Sequence, residues 1–337
     1  MCTSIYTETK DSKHLLARTM DFSYELDPQI VFLPRNHKWT PSSENKSFVN
    51  KYGFVGSGKN LDGSYFVADG VNEKGLSAAE LYLPGEAVYH DDKSSEKINL
   101  ASHEFIIWLL GNFESIEELT SALKTVQLMN VSVPVLNILT PLHWIITDKS
   151  GKSVVIEPTD LNKPLTIKEN PIGVMTNTPK LEWHIENLRN YLHVQPKQYS
   201  PKKYGEFEAK PFSQGTGTLG LPGGYTPPER FVRATFFKEN IKEANDELEG
   251  VHNSLEILST VKIPKNVVIT ADDQSDYSQY IIVMCNETGS VYLQNYGTNE
   301  ISKVSLTPEL LSSDQVVEFK TKNSLTITNL NERGNYK

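Results

Sequence analysis

Strand-type alternation opens and closes this chain, and helical spacing interrupts it. TSIYTET and KHLLARTMDF alternate with period 2 around the turn signal KDSK, which predicts an N-terminal hairpin. QIVFLP, YGFVGSG, SYFVADG and GLSAAELYL continue the strand pattern. The period then changes. ASHEFIIWLLGNF carries apolar residues at 105, 106, 109 and 110, and SIEELTSALKTV opens with the capping box Ser115-x-x-Glu118. LHWIITDKSGKSVVIEP reads as a hairpin about Lys149-Ser150-Gly151, followed by LTIKE and IGVMTN. KLEWHIENLRNYL, PPERFVRATFFKENIKEA (with Pro228 in its first turn) and NSLEILSTV read as helices. DYSQYIIVMCNET, GSVYLQNY and EISKVSL return to strands. Antiparallel hairpins dominate and no βαβ run is evident, so the expected class is α+β, with helices covering antiparallel sheets. Without a low-complexity linker or repeat period, residues 1–337 are expected to form one domain. The Gly- and Pro-rich stretch 199–228 is too long for an idle connection and reads as a lid or an assembly element.

Several classes fall away on composition. Cys2 and Cys285 are the only cysteines, which excludes a disulfide framework and fits a reduced, cytoplasmic setting. No Cys/His cluster has metal-ligand spacing, so neither metal nor cofactor is expected. A net charge of −9 without a basic run argues against nucleic acid. No apolar run approaches the roughly 20 residues of a membrane span, and the N-terminus lacks the basic and apolar regions of a signal peptide.

Cys2 directly follows the initiator methionine. Excision of Met1 leaves a thiol and a free α-amine on one residue, a potential nucleophile with its own base; an α-amine ordinarily titrates near 7.7–8.0. On position alone Cys2 reads as a small buried residue in the first strand. Arg18 and Asp21, in ARTMDF, can lie beside the chain start across the hairpin, where an Arg favours a thiolate and an Asp can hold an ammonium or thiol; a strand-end ion pair is the plainer reading. Asn177 in VMTNTP is either a turn residue or an amide donor to an oxyanion. Arg230 opens a helix, a poor place for a cation, and so requires a carboxylate or a substrate. His143 and His184 lie in apolar-patterned segments and read as structural, although spacing leaves a Cys–His pair open.

MCTS, ARTMDF, DGVNEKGLS, PLHWIITD, IGVMTNTP and GLPGGYTPPERFVRA resemble, in order and nearly end to end, the choloylglycine hydrolase family: conjugated bile acid hydrolases and penicillin V acylases within the N-terminal nucleophile hydrolases. The resemblance implies a four-layer αββα sandwich of two antiparallel sheets flanked by helices, removal of Met1, hydrolysis of a linear amide, and commonly a homotetramer. It implies Cys2 as nucleophile and base, Arg18 and Asp21 as its support, Asn177 as oxyanion donor and Arg230 as an active-site cation, with Tyr82 and Met20 on the substrate and oxyanion side. Two positions depart from the bile salt hydrolase pattern. ELYL puts Tyr82 where those enzymes tend to carry Asn, and LPGG puts Gly224 where Asp is usual. Tyr82 is similar to penicillin V acylases and offers a flat wall for an aryl acyl group. The expected activity is therefore penicillin V acylase, with bile salt hydrolase, N-acyl homoserine lactone acylase and an inactive ligand-binding homologue as alternatives.

Overall fold

A computed structural model describes residues 1–133 and 137–332. β1 (Cys2–Glu8) and β2 (His14–Phe22) form the expected hairpin, with Cys2 opposite Met20 and Ser4 opposite Arg18. β2 pairs on its other edge with Ser275–Cys285. Among the described residues this sheet has seven strands: Val174–Met175, β1, β2, Ser275–Cys285, Ser290–Asn295 and Ser302–Ser305 in order, with Val268–Ile269 added to Ser275–Cys285. β2 is central and covered on both faces, so every residue from His14 to Asp21 is buried. Arg18 and Asp21 are thus placed where a charge survives only with partners.

The second sheet has eight strands in the order Lys168–Glu169, Ser153–Ile156, Leu142–Thr147, Ser77–Tyr82, Ser64–Asn72, Phe54–Leu61, Gln29–Leu33 and Val317–Phe319. All of its pairings are antiparallel. Period 2 divides its side chains between two cores. Ala79 and Leu81 join Ile5, Leu16, Val283, Phe231 and Leu258 in the core between the sheets and under the helices α3 (Leu181–Asn187), α4 (Pro227–Asn240) and α5 (Glu247–Ser259). Ala78 joins Trp144, Phe105 and Leu109 in a second core under α1 (Phe105–Asn112) and α2 (Ile116–Ala122). The result is the four-layer αββα sandwich. Each fully buried aliphatic or aromatic side chain contributes roughly 1.5–3 kcal/mol.

Local signals explain most boundaries. Ser115 caps α2 by accepting from the Glu118 amide at 3.2 Å. α5 starts before the apolar run NSLEILSTV, because Asp246 caps it by accepting from the Glu249 amide at 3.0 Å. Two features differ from expectation. Ile98–Ala101 and Val126–Met129 pair in parallel across α1 and α2, a small strand–helix–strand excursion that antiparallel patterning did not announce. The stretch 199–228 contains a short hairpin, Lys202–Tyr204 with Phe207–Ala209, before it enters α4.

Candidate active site

The hairpin register determines the first contact. Cys2 faces Met20, and Arg18, two residues along the same face of β2, is its diagonal neighbour. Arg18 Nη2 donates to Cys2 Sγ at 2.9 Å and to Met20 Sδ at 3.3 Å. Its other arm, Nη1, donates to Asp69 Oδ2 at 2.9 Å. Asp69 is held in turn by the Tyr280 hydroxyl at 2.8 Å and the Ser57 hydroxyl at 2.6 Å. Arg18 and Asp69 are both 0% exposed. Burial works against the guanidinium charge, but Cys2, Tyr280 and Asp69 outweigh it and hold Arg18 above its usual range. A bulge between Ser278 and Tyr280 serves this arrangement. It lets Ser278 donate to Asp21 Oδ1 at 2.5 Å while Tyr280 stands opposite Met20 and reaches Asp69.

Asp21 approaches the chain start through its backbone rather than its carboxylate. Its carbonyl accepts from the Met1 ammonium at 2.5 Å and lies 4.0 Å from Cys2 Sγ. The carboxylate takes bonds from Ser278 and Thr19 and sits 4.0 Å from Arg230 Nη1. Burial raises the Asp21 carboxyl above the usual range, against the pull of Arg230.

Arg230 enters the site because Pro227 and Pro228 start α4 just before it. Its Nη1 donates to the Cys2 carbonyl at 2.5 Å and to Thr3 Oγ1 at 2.6 Å, and its Nη2 to Asn177 Oδ1 at 2.6 Å. Asn177 Oδ1 also accepts from the Cys2 nitrogen at 2.9 Å, while its Nδ2 donates to the Tyr82 carbonyl at 2.8 Å. One Nδ2 hydrogen is used in that bond, and an amide carries two. The Tyr82 N–H also faces away from the strand Leu142–Thr147. Tyr82 lies opposite Leu142, and the Leu83 amide donates to the carbonyl of Pro141, which immediately precedes that strand, so Tyr82 occupies a ladder position whose N–H and C=O face away from Leu142–Thr147.

The two histidines stand behind Asn177. His143 Nε2 donates to the Thr176 carbonyl at 2.9 Å, and His184 Nε2 to the Asn177 carbonyl at 2.8 Å. Glu157 lies 3.3 Å from His143 Nδ1 and accepts from the Leu181 amide at 3.0 Å and Lys168 Nζ at 2.8 Å. Burial would raise its carboxyl, yet His143 and Lys168 hold it down at about 2. Cys285 is fully buried in the neighbouring strand.

A cleft runs from Cys2 past Met20, Phe22, Leu26, Val67 and Leu142. Tyr82 forms part of its wall, with its ring 5.4 Å from Phe22. The structure thus gathers Cys2, Arg18, Met20, Asp21, Tyr82, Asn177 and Arg230 around one thiol. Sequence reasoning missed Asp69, Ser57 and Tyr280. The one available signal was Arg18 itself, a cation in a strand apolar on both faces that demanded a carboxylate from elsewhere. The departure at Gly224 also has a local answer. The Gly224 amide donates to Glu229 Oε1 at 3.2 Å, and a Cβ on Gly224 would stand 2.3 Å from Glu229 Oε2.

Known proteins show the same arrangement of chain. A bile salt hydrolase/transferase of Clostridium perfringens is 36% identical over 335 residues, covering 98% of this chain and all of that one. The solved R18L variant of conjugated bile acid hydrolase from the same organism superposes with a TM-score of 0.89 at 35% identity, over 98% of this chain and 100% of that one. The penicillin V acylase of Agrobacterium tumefaciens shares the fold, with a TM-score of 0.74 at 21% identity over 94% of this chain and 90% of that one. Residues 2–319 match the linear amide C–N hydrolases of the choloylglycine hydrolase family. The chain belongs to that family and is a hydrolase of linear amide C–N bonds.

Proposed function

We propose that this enzyme hydrolyses conjugated bile salts, with Cys2 as nucleophile. The observation that carries this reading is the apolar cleft that ends at the Cys2 thiol, in a chain that matches bile salt hydrolases over nearly its whole length. The penicillin V acylase reading rests on Tyr82. It is the weaker one, because the likeness to a solved penicillin V acylase is one of fold alone.

Removal of Met1 would turn the Cys2 nitrogen, 2.9 Å from Asn177 Oδ1, into the free α-amine. In this mechanism that amine takes the thiol proton, and Arg18 supports the resulting thiolate. Sulfur attacks the amide carbon, and the oxyanion is held by the second Nδ2 hydrogen of Asn177 and the Tyr82 N–H. The C–N bond breaks as the α-ammonium returns its proton to the leaving amine. The Cys2 α-amine, neutral again, then takes a proton from water, whose hydroxide splits the thioester to the free acid and releases the Cys2 sulfur.

One observation favours a second reading, hydrolysis of aryl-acyl amides: the Tyr82 ring lines the cleft where a flat acyl group would lie. Glycine release from glycocholate, measured against 6-aminopenicillanic acid release from penicillin V, separates the two. Faster turnover of glycocholate supports the proposal, and a preference for penicillin V overturns it.

A further inference from the structure

Glu80 and Tyr82 are two residues apart on the strand Ser77–Tyr82, so their side chains share a face, and both line the cleft. The cleft there is lined by Met20, Phe22, Val67 and Leu142, with Arg18 and Tyr280 among its polar groups. A carboxyl group in such a wall ordinarily has partners. Among the described residues, Glu80 Oε2 and the Tyr82 hydroxyl have no hydrogen-bond partner. Arg18 acts on Glu80 only through its charge: its two Nη arms are bonded to Asp69 and Cys2, and its buried Nε has no hydrogen bond among the described residues. Two buried polar atoms in the wall of a largely apolar cleft thus lack a hydrogen bond from the described residues.

We propose that Glu80, assisted by the Tyr82 hydroxyl, determines specificity by binding a hydroxyl group carried on the acyl portion of the substrate. The proposal rests on the reading of Cys2 as nucleophile, which makes the apolar cleft the acyl site and leaves the polar amine portion toward solvent. Burial raises the Glu80 carboxyl to about 8, with Arg18 opposing. At neutral pH the acid form can donate one hydrogen bond and accept another, which is what a hydroxyl requires. An unhydroxylated acyl group would leave both polar atoms covered and unmatched, and sites built to bond a hydroxyl discriminate strongly against analogues that lack it.

The test uses Glu80→Leu and Glu80→Gln with two matched substrate series. One compares glycocholate with glycolithocholate, which carries fewer hydroxyls. The other compares N-(4-hydroxyphenylacetyl)glycine with N-phenylacetylglycine. In the series that the wild type hydrolyses, Glu80→Leu should lower the ratio of kcat/KM for the hydroxylated over the poorer member by about tenfold or more. Glu80→Gln, which still donates and accepts, should keep the ratio within about threefold. A ratio unmoved by Glu80→Leu overturns the proposal. Failure of the wild type on both steroid conjugates overturns the bile salt reading instead, and the aryl series still judges Glu80. Calorimetric binding of the corresponding free acids to Cys2→Ala, with and without Glu80→Leu, reads the same discrimination without turnover.

Discussion

The Arg18 guanidinium stands 2.9 Å from the Cys2 sulfur, and Asp69 fixes it there from the opposite side at 2.9 Å. Removing Arg18 therefore has two separable effects. Arg18→Met leaves the Asp69 carboxylate buried beside only neutral donors and should cost about 3–5 kcal/mol in stability. Arg18→Met with Asp69→Asn should recover most of that loss in denaturant titrations. It should not recover reactivity of Cys2, because the cation bonded to the sulfur is gone and Arg230 is bonded instead to the Cys2 carbonyl, Thr3 and Asn177. Iodoacetamide labelling at neutral pH reads this in a Cys285→Ala background, which should itself be fully active. Full labelling rates in the double variant would count against Arg18 as the support of the thiol.

Asn177 links the Cys2 nitrogen, Arg230 and the Tyr82 carbonyl. Asn177→Ala should lower kcat by about 10²–10³, the loss typical of a missing oxyanion donor. KM should change less than kcat, since the contact strengthens as charge develops. Steady-state kinetics in which KM alone rises would assign Asn177 to ground-state binding.

Glu157 and Glu80 should give stability profiles of opposite sign. The folded-state value of Glu157, about 2, lies below its ordinary value, so its contribution is present above roughly pH 4.5 and is lost as pH falls toward 2. Glu157→Gln should lack that acid-limb loss, and its deficit relative to wild type should shrink between pH 5 and about 3. The folded-state value of Glu80, about 8, lies above its ordinary value, so stability is lost as pH rises from roughly 4.5 to 8. Glu80→Gln should flatten that limb. Urea titrations across pH check both, and parallel curves for wild type and variant would contradict the assignment.

Tyr82 offers its ring to the cleft and its backbone to Asn177, so a substitution separates the two. Tyr82→Asn should leave the oxyanion contribution largely intact and shift relative turnover from penicillin V toward glycocholate. The shift should be one or two kcal/mol at most, about the worth of an aromatic contact. An unchanged ratio would place acyl selectivity elsewhere in the cleft.

Much of this site was legible in the sequence because its first contacts are local in the fold. Cys2 and Arg18 share one hairpin, and Pro227 and Pro228 mark the start of the helix that carries Arg230. The motif order then implied Asn177 and Tyr82. Asp69, Ser57 and Tyr280 were not legible, because they meet Arg18 only when the two sheets stack, and each reads alone as an ordinary strand residue. Glu80 was hidden for the same reason: alternation gives its face, but not that this face borders a cleft. The parallel pair Ile98–Ala101 and Val126–Met129 escaped because its strands are short and separated by two helices. The choice of substrate leaned on Tyr82 alone, a single position against likeness along the whole chain.

The most direct test of the account is the rate of glycine release from glycocholate against the fraction of chains beginning at Cys2, read by intact mass in preparations with and without methionine aminopeptidase treatment. The α-amine of Cys2 is the proposed base, so the rate should rise in proportion to that fraction and extrapolate to zero when every chain retains Met1. Full activity from chains that still carry Met1 would contradict it.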